Sequence, residues 1–253
     1  VTTHDCVGRS ICQAYDLEAD EWLPMANMNK PHNNHGVVAF EGQLYAFGGI
    51  SYYTTFHPEL EVYDPNSDAW SYRAPMPVEI RYFGYALSGD RIYVTGGDTS
   101  PDFLPLDSLW IYDIGDDTWT AGPPMPSKLL MHCSAALDGK IYTFGGKDLS
   151  AGALGLVQIY DINTRAWSIG PKMPVPTLMA SATVLGNRIY VLGGSNDSGA
   201  HATVHIYEPT TETWSLGTDM LEPVDQAAFD TYKCKLYVHF SGRTYEGTGT
   251  GEP

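Results

Sequence analysis

The sequence RIYVTGG at Arg91–Gly97 begins the pattern that decides the fold. It is followed by Tyr112-Asp113, by Trp119 and by Met125-Pro126. Residues 91–95 have the β-branched and aromatic side chains of a strand, and the two glycines after them suit a tight bend. The same landmarks recur along the chain, which indicates one structural unit repeated several times. The tryptophans of this pattern are Trp22, Trp70, Trp119, Trp167 and Trp214, separated by 48, 49, 48 and 47 residues.

Other landmarks keep the register of the tryptophans. Each tryptophan is followed six residues later by a methionine: Met28, Met76, Met125, Met173 and Met220. A tyrosine with an acidic neighbour precedes each one, as Tyr15-Asp16, Tyr63-Asp64, Tyr112-Asp113, Tyr160-Asp161 and Tyr207-Glu208. Diglycines occur at Gly48-Gly49, Gly96-Gly97, Gly145-Gly146 and Gly193-Gly194, with a degenerate fifth at Ser241-Gly242. Because the acids recur at predicted turns, we interpret them as turn caps rather than as catalysts.

One unit reads as a sheet of four short strands. In the first complete unit the predicted strands are His35–Phe40, Leu44–Phe47, Leu60–Tyr63 and Ala69–Tyr72, with turns at Glu41-Gly42 and Asp64–Asp68. A single sheet of this size cannot bury both faces, and radial stacking of such sheets around an axis solves the problem. The predicted class is all-β.

These landmarks resemble the Kelch repeat over nearly the whole chain. The resemblance implies a β-propeller of five four-stranded Kelch blades over residues 1–245. The predicted blades are 31–76, 77–125, 126–173, 174–220, and a fifth formed by 221–245 plus 10–30. In that fifth blade the N- and C-terminal strands are shared and close the ring, which removes the open sheet edge. Residues 246–253 are expected to be a flexible tail.

Composition excludes some classes of partner. The chain has 30 acidic and 14 basic residues, a net charge of −16, which disfavours nucleic acid and anionic membranes as partners. No apolar run reaches the ~18 residues of a membrane span. The four cysteines, Cys6, Cys12, Cys133 and Cys234, form no C-x-x-C pair and are interpreted as reduced, mostly buried thiols. We therefore expect a cytoplasmic protein, although a signal peptide already removed stays open.

The sequence does not predict an enzyme. The diglycines lack the G-x-x-x-x-G-K-[ST] pattern of a phosphate loop, and no G-x-S-x-G motif is present. Two histidine pairs, His32 with His35 and His201 with His205, have spacings that suit a packed or solvated role better than a metal site. We predict no catalytic residue, no metal site and no cofactor.

The resemblance places a ligand site at the mouth of the central channel. There the connections between blades meet the loops that follow the diglycines, and these segments vary between repeats while the landmarks do not. We expect a protein or peptide ligand, with Arg81 contacting a carboxylate and with Leu130 and Met131 covering an apolar anchor. The candidate binding residues are Asn33, Asn34, His35, Tyr52, Tyr53, Arg81, Tyr82, Leu130, Met131, Leu178, Met179, Gln226 and Arg243.

Three functions are compatible with this pattern. The first is substrate recognition, similar to that of the Kelch domains of BTB-Kelch adaptors of cullin ubiquitin ligases; a cullin ligase would then be reached through a BTB domain absent from this chain. The second is a stand-alone Kelch scaffold, for example an actin-associated one. The third is an enzyme on the same scaffold, such as a sugar-processing or specifier enzyme, and the apolar Leu and Met positions of the channel mouth disfavour it.

Overall fold

The computed structural model describes residues 10, 12–16, 19, 21–51, 55–99, 102–149, 152–225, 228–232, 235–240 and 243–248. Within these ranges the regular secondary structure consists of β-strands, and no α-helix is formed. The all-β class is therefore confirmed. A search of the same ranges finds no helix that is long and apolar enough to cross a membrane.

The strands form consecutive antiparallel sheets, of which four have four strands each. A first hairpin contains β1 (Cys12–Asp16) and β2 (Glu21–Met25). Blade one contains β3 (Gly36–Phe40), β4 (Gln43–Phe47), the short hairpin of β5 (Ile50–Ser51) and β6 (Thr55–Phe56), then β7 (Leu60–Asp64) and β8 (Ala69–Arg73). Blade two contains β9 (Gly84–Ser88), β10 (Arg91–Thr95), β11 (Leu109–Asp113) and β12 (Thr118–Ala121). Blade three contains β13 (Cys133–Leu137), β14 (Lys140–Phe144), β15 (Val157–Asp161) and β16 (Ala166–Ile169).

Blade four and a last sheet complete the described strands. Blade four contains β17 (Ser181–Leu185), β18 (Arg188–Leu192), the short hairpin of β19 (Ser195–Asn196) and β20 (Gly199–Ala200), then β21 (Val204–Glu208) and β22 (Thr213–Leu216). The last sheet contains β23 (Ala228–Tyr232), β24 (Lys235–Phe240) and β25 (Arg243–Thr248). The strands predicted for blade one lie within one residue of β3, β4, β7 and β8.

The sheets follow one another through their first strands. β9 contacts β3 and β13, and β17 contacts β13 and β23. At the ends, β1 and β2 form a separate two-stranded sheet, and β24 pairs with β25 rather than with an N-terminal strand. β25 extends three residues into the tail predicted for 246–253. The shared closing blade therefore stays a prediction.

The tryptophan landmarks Trp70, Trp119, Trp167 and Trp214 each join two neighbouring sheets. In blade two, the Trp119 indole packs on the ring of Tyr112 with centroids 4.9 Å apart, and its Nε1–H donates to the Ala74 carbonyl oxygen at 2.9 Å. Ala74 belongs to the connection that follows blade one. The aromatic pair, of which Tyr112 is fully buried, and the hydrogen bond together connect consecutive sheets. The same bond recurs from Trp70 to Ala26, from Trp167 to Pro123 and from Trp214 to Pro171, at 2.8 to 2.9 Å.

The diglycines form a second connection between sheets. The φ angles of Gly96 and Gly97 are 59° and 89°, which glycine adopts at little cost. Gly97 N–H donates to the carbonyl oxygen of Leu129 in the next connection at 2.9 Å, and a Cβ on Gly96 would lie 2.5 Å from that same oxygen. The glycines therefore allow a close backbone approach that a side chain would block. Gly49, Gly146 and Gly194 make the equivalent bonds to Ile80, Thr177 and Val224.

The acids that follow the tyrosines cap turns, as predicted from sequence. Asp113 Oδ1 accepts the Asp116 N–H at 3.1 Å, and this backbone hydrogen bond is the main reason that the pKa of Asp113 is lowered. Asp64 and Asp161 accept backbone N–H groups two or three residues ahead in the same way. Cys12 and Cys133 are free, buried thiols, and burial raises the pKa of Cys133 to about 12. Cys6 and Cys234 lie outside the described residues.

The tryptophan connection can be tested in blade two. We expect Trp119→Ala to reduce the free energy of unfolding by about 3 kcal/mol, because an aromatic group packed on the core and its hydrogen bond are both lost. Trp119→Phe keeps most of the packing and should cost about 1 kcal/mol. Urea unfolding followed by circular dichroism measures both, with the exposed Leu216→Ala as control. Equal midpoints for Trp119→Ala and the parent chain would contradict the assignment.

Candidate functional site

Four residue pairs form the rim at the start of blades one to four. They are Asn33-Asn34, Arg81-Tyr82, Leu130-Met131 and Leu178-Met179, and we call them the rim pairs. The first residue of each pair forms a β-bridge with the residue after a diglycine, at Ile50, Asp98, Lys147 and Ser195. The second residue has a left-handed backbone, with φ of 53°, 53°, 59° and 57°. Equivalent backbone positions thus carry chemically different side chains.

Backbone hydrogen bonds link neighbouring rim pairs. Met131 N–H donates to Tyr82 O at 2.8 Å, and Met179 N–H donates to Met131 O at 2.8 Å. Blades two, three and four therefore meet at one edge, where their second rim residues are adjacent. The sequence prediction that these connections converge agrees with this arrangement.

The predicted site residues differ widely in exposure. Asn33, Asn34, Tyr82, Leu178 and Met179 are half-buried. Four others are buried: His35, Arg81, Leu130 and Met131, with 7%, 5%, 0% and 8% of their surface exposed. Tyr52, Tyr53 and Gln226 lie outside the described residues, and Arg243 is placed only as the first residue of β25.

Arg81 is occupied by partners within the chain. Its Nε–H donates to Asp98 Oδ1 at 2.9 Å, and the Asp98 side chain is fully buried. The guanidinium carbon also lies 4.6 Å from the ring centroid of Phe103, 5.1 Å from that of Tyr82 and 5.3 Å from that of Phe56. These contacts are cation–π distances. The expectation that Arg81 presents a free fork to a ligand is corrected: the residue holds the rim aromatics together.

Leu130 also differs from its predicted role. It has no exposed surface, so it packs beneath the rim and cannot cover a ligand from that position. Its backbone exchanges two hydrogen bonds with Lys147, with N···O distances of 3.0 and 3.1 Å, as the rim bridges do in the other blades. An acidic residue at this position would place a charge in the core.

The candidate binding residues do not include three exposed apolar residues of the loops after the diglycines. Phe103, Leu104 and Leu149 expose 38%, 47% and 72% of their surface. Phe103 stacks on Tyr82 with centroids 6.0 Å apart, has a left-handed φ of 55°, and lies 5.7 Å from Lys147 Nζ. The sequence signal for these residues is that large apolar side chains occur inside segments predicted to be loops.

A groove lies between the two loops that carry these residues. It has a volume of about 240 Å³ and is lined by Pro105 from the loop of blade two, by Ser127 and Lys128 from the next connection, and by Asp148 and Leu149 from the loop of blade three. Ser127 is fixed from below, because Gln158 Oε1 accepts its N–H at 2.7 Å and Gln158 Nε2 donates to its carbonyl at 3.2 Å. One side of the groove is thus fixed by hydrogen bonds to a side chain of blade three.

A polar cluster of buried groups surrounds Glu61 at the start of blade one. Its carboxylate accepts the N–H groups of Asn29 and Lys30 at 2.8 and 2.9 Å, and it lies 3.3 Å from His32 Nε2. Burial works to raise the pKa of Glu61, but the hydrogen bonds from His32 and Asn29 outweigh it, and the pKa is lowered. His35 and His57 lie close to His32, with ring centroids 5.6 and 5.1 Å away. Across the described ranges, no three His, Cys, Asp or Glu residues are placed to hold a metal ion.

A second polar cluster lies just below the rim between blades two and three. His132 Nε2 is 2.9 Å from Thr95 Oγ1, which is 3.2 Å from Ser134 Oγ. His132 and Ser134 expose 5% and 8% of their surface, and Thr95 exposes none. Burial lowers the pKa of His132 to about 4, so the ring is neutral near pH 7. A Ser-Thr-His group without an open surface serves packing between blades better than catalysis.

Two family models match this chain. The model described as "KLHDC2/KLHL20/DRC7 Kelch-repeats domain" covers residues 83–248, and the model described as "Kelch motif" covers residues 31–77. The first model alone covers more than half of the chain.

Curated proteins with similar sequences carry related names. Kelch-like protein 25 of Xenopus tropicalis is 34% identical over 87 residues, which are 34% of this chain and 15% of that protein. Kelch-like protein 35 of Mus musculus is 32% identical over 83 residues, covering 33% of this chain and 14% of that protein. Beta-scruin of Limulus polyphemus is 27% identical over 96 residues, covering 38% and 10%. The matched segments are a small part of each relative.

The buried His132 predicts an acid-sensitive contribution to stability. Its pKa is about 4 in the folded chain, against about 6.5 when unfolded. As the pH falls from about 6.5 towards 4, the unfolded state takes up a proton that the folded state refuses, so stability decreases, by about 3 kcal/mol at most.

The matched variant is His132→Phe, because Phe83 occupies the equivalent position in blade two. The pKa values of His57, His201 and His205 are also lowered, and these histidines are present in both the parent chain and the variant. The quantity to compare is therefore the difference in stability between the parent chain and the variant at each pH. Urea unfolding from pH 7.5 to 4.5 should show a shallower loss of stability for the variant. Parallel pH curves would contradict the prediction.

Proposed function

The chain belongs to the Kelch-repeat family, and from that premise we propose that it is a protein- or peptide-binding propeller domain whose ligand docks at the rim. In its most specific form, the proposal is substrate recognition for a cullin ubiquitin ligase. The ligase would be reached through a BTB domain outside this chain, and the expected location is the cytoplasm.

One observation carries the binding proposal. The second rim residues Asn34, Tyr82, Met131 and Met179 all have a left-handed backbone, although glycine adopts that conformation most easily. Holding a larger side chain there costs on the order of 1 kcal/mol per residue. The chain therefore maintains strain at four equivalent positions while keeping four side chains at the edge where its blades meet. The left-handed turn residues Asp68, Asp117, Arg165 and Glu212 show that such strain also occurs in the scaffold. Ligand contact is favoured at the rim because Asn34, Tyr82 and Met179 are only half-buried at the edge where the blades meet.

Recognition by binding is favoured over catalysis. The polar groups nearest the rim are engaged within the fold, as Arg81 is by Asp98 and His132 is by Thr95. Large aromatic and methionine side chains at the rim suit a protein surface or a peptide, since they offer contact area at small entropic cost. We accordingly propose no cofactor and no catalytic residue.

The adaptor role is supported by the Kelch-like proteins among the relatives, and a stand-alone scaffold is the second candidate. The match to Beta-scruin shows that relatives not named as Kelch-like proteins also contain a similar segment. Both candidates use the rim as a binding surface. They differ in whether the captured protein becomes ubiquitinated when the full-length gene product is present.

We also propose that the ring has five blades and that the first hairpin completes the last sheet. The Trp70 indole donates to Ala26 after β2 as other landmarks do between blades, and Cys12 and Met28 pack with the core of blade one. At the other end, β23 contacts β17 of blade four. The hairpin thus lies beside blade one and the last sheet lies beside blade four. A shared fifth blade would have these same two neighbours.

Glycine substitution tests the binding proposal without adding strain. The double variant Tyr82→Gly/Met179→Gly should fold, because glycine relieves the strain of the left-handed backbone. This relief offsets part of the packing that is lost with the two half-buried side chains. It should capture partner proteins at least about tenfold less well, as expected when central contact residues are removed. Affinity capture by the tagged chain, quantified by mass spectrometry, measures this.

The matched control is Asp138→Gly. Asp138 also has a left-handed φ, 51°, but it lies in the exposed turn between β13 and β14. It should capture the same proteins as the parent chain. Capture that is unchanged in the double variant, or lost equally in the control, would refute a rim site.

Ring closure predicts the effect of removing the first hairpin. Deleting residues 1–22 should expose strand edges in the last sheet, so the chain should aggregate on size-exclusion chromatography. A deletion of residues 249–253 is the control and should remain monodisperse. A monomeric 1–22 deletion with an unchanged melting temperature would show that the hairpin and the last sheet do not share a blade.

A further inference from the structure

The outermost strands of blades three and four are open sheet edges. Within the described part of the chain, β16 and β22 each pair with one strand only, the third strand of the same blade. Neither strand contains a charged residue or a proline, two features that commonly protect an edge from further pairing. Each strand also exposes 56% of one large apolar side chain, Ile169 in β16 and Leu216 in β22. Both edges are therefore suited to pair with a further strand.

The backbone of both edges is oriented towards this open side. Gly170 N–H donates to the Val157 carbonyl oxygen at 3.0 Å, which makes these two residues a hydrogen-bonded pair at the end of the β15–β16 ladder. Because such pairs alternate along antiparallel strands, Ile169 directs its N–H and C=O away from β15. The equivalent bond from Gly217 in blade four, at 2.8 Å, orients Leu216 in the same way. These groups are placed to form hydrogen bonds with an added strand.

The residues that flank the two edges carry opposite charge. Arg165 directly precedes β16 and Lys172 lies three residues after it, whereas Glu212 and Asp219 occupy the same two positions around β22. No acidic residue lies between the two cations, and no basic residue lies between the two anions. All four side chains are exposed, and none forms an ion pair with the described residues. The charges have the same spacing at both edges, so they match when the edges lie side by side.

The corresponding positions in blades one and two differ. The residue directly before the fourth strand is an aspartate there, Asp68 or Asp117, and its carboxylate accepts from the tyrosine landmark of the same blade. The residue five positions after the tryptophan landmark is a proline, Pro75 or Pro124. Among the four described blades, only blades three and four therefore have edges with like charges at both ends.

We propose that a second copy of this chain docks at these strands, with the β16 edge of one copy paired to the β22 edge of the next. The cations beside β16 then face the anions beside β22, and Ile169 packs near Leu216 of the neighbouring copy. Because the two edges are different, the contact does not close on itself, and the copies assemble head to tail. Two four-residue strands bury less area than a stable complex does, so the association is weak and depends on concentration. It goes beyond the proposed function, because the rim pairs precede the first strands and stay open.

Exchanging the charges of the two edges tests this pairing. Sedimentation velocity of the parent chain in about 150 mM salt, where distant charges are largely screened, should show association that increases up to ~0.5 mM protein. Arg165→Glu/Lys172→Glu makes both edges acidic, and Glu212→Lys/Asp219→Lys makes both edges basic. Each variant alone should associate at least about tenfold more weakly than the parent chain, because like charges then meet. An equimolar mixture of the two variants should recover the association, since acidic edges again meet basic ones.

Net charge alone predicts the opposite result for one of these variants. The chain has a net charge of −16, and Glu212→Lys/Asp219→Lys makes it less negative, so general repulsion between copies decreases. General repulsion therefore predicts stronger association for this variant, whereas edge pairing predicts weaker association. Matched controls change exposed charges outside β16 and β22 and should associate like the parent chain: Glu79→Lys/Asp90→Lys and Arg73→Glu/Lys128→Glu.

Hydrogen–deuterium exchange gives a second measurement on the unchanged chain. The amides of Ile169 and Leu216 should exchange at least about threefold more slowly at ~0.5 mM than at ~5 µM protein, because an added strand bonds to them. Amides of β12, the outermost strand of blade two, should exchange equally at both concentrations.

Three results would overturn the inference. They are a parent chain that stays monomeric over this range, a mixture of the two variants that does not recover association, and controls that lose association as much as the edge variants. The rim is tested separately, since Tyr82→Gly/Met179→Gly should associate like the parent chain. The edge variants should capture the same proteins as the parent chain, and circular dichroism should give them its melting temperature.

Discussion

The hydrogen bond from a tryptophan indole to a carbonyl of the preceding connection is the constraint on which the architecture depends. Within the part of the chain that the structure describes, four such bonds are formed, each spanning 43 to 45 residues of sequence. Because every donor lies on the last strand of one blade and every acceptor belongs to the connection before it, no blade is complete alone. The period of the tryptophans is therefore the period of the contact itself.

The residue two positions before each tryptophan shows how local chemistry adapts to this bond. In blade two, Asp117 accepts from Tyr112 Oη at 2.6 Å and from the Ala74 N–H at 2.8 Å. Asp68 makes the same pair of bonds with Tyr63 and Ala26. In the next two blades the connection residue is Pro123 or Pro171, which has no N–H to donate, and the equivalent positions hold Arg165 and Glu212. The backbone stays left-handed at all four positions, with φ between 45° and 57°, so the turn is kept while its side-chain role is lost.

Sequence alone predicted the strands, the diglycine bends and the turn-capping acids, because each has a local cause that recurs in register. It predicted the position of the rim for the same reason. It could not predict which rim side chains are open, since that depends on loops outside the repeat pattern. Arg81 reads as an exposed rim cation, but it pairs with the buried Asp98 and lies against Phe103, a loop residue with a left-handed backbone. Leu130 reads as a surface anchor, but its side chain is fully buried, whereas the equivalent Leu178 is half-buried.

Variation between repeats is therefore an incomplete guide to function. The second residue of the third blade strand is Glu61, Trp110, Gln158 and His205 in blades one to four, as variable as the rim pairs. Glu61 and Gln158 are nonetheless fully buried, and each binds backbone groups that follow a methionine landmark, so they connect blades by different side-chain chemistry. A binding position differs from such a connection because its side chain is not fully engaged by contacts within the fold. Arg81 does not meet that criterion, because Asp98 and the rim aromatics engage its guanidinium, although its charge and its rim position made it a strong candidate in the sequence.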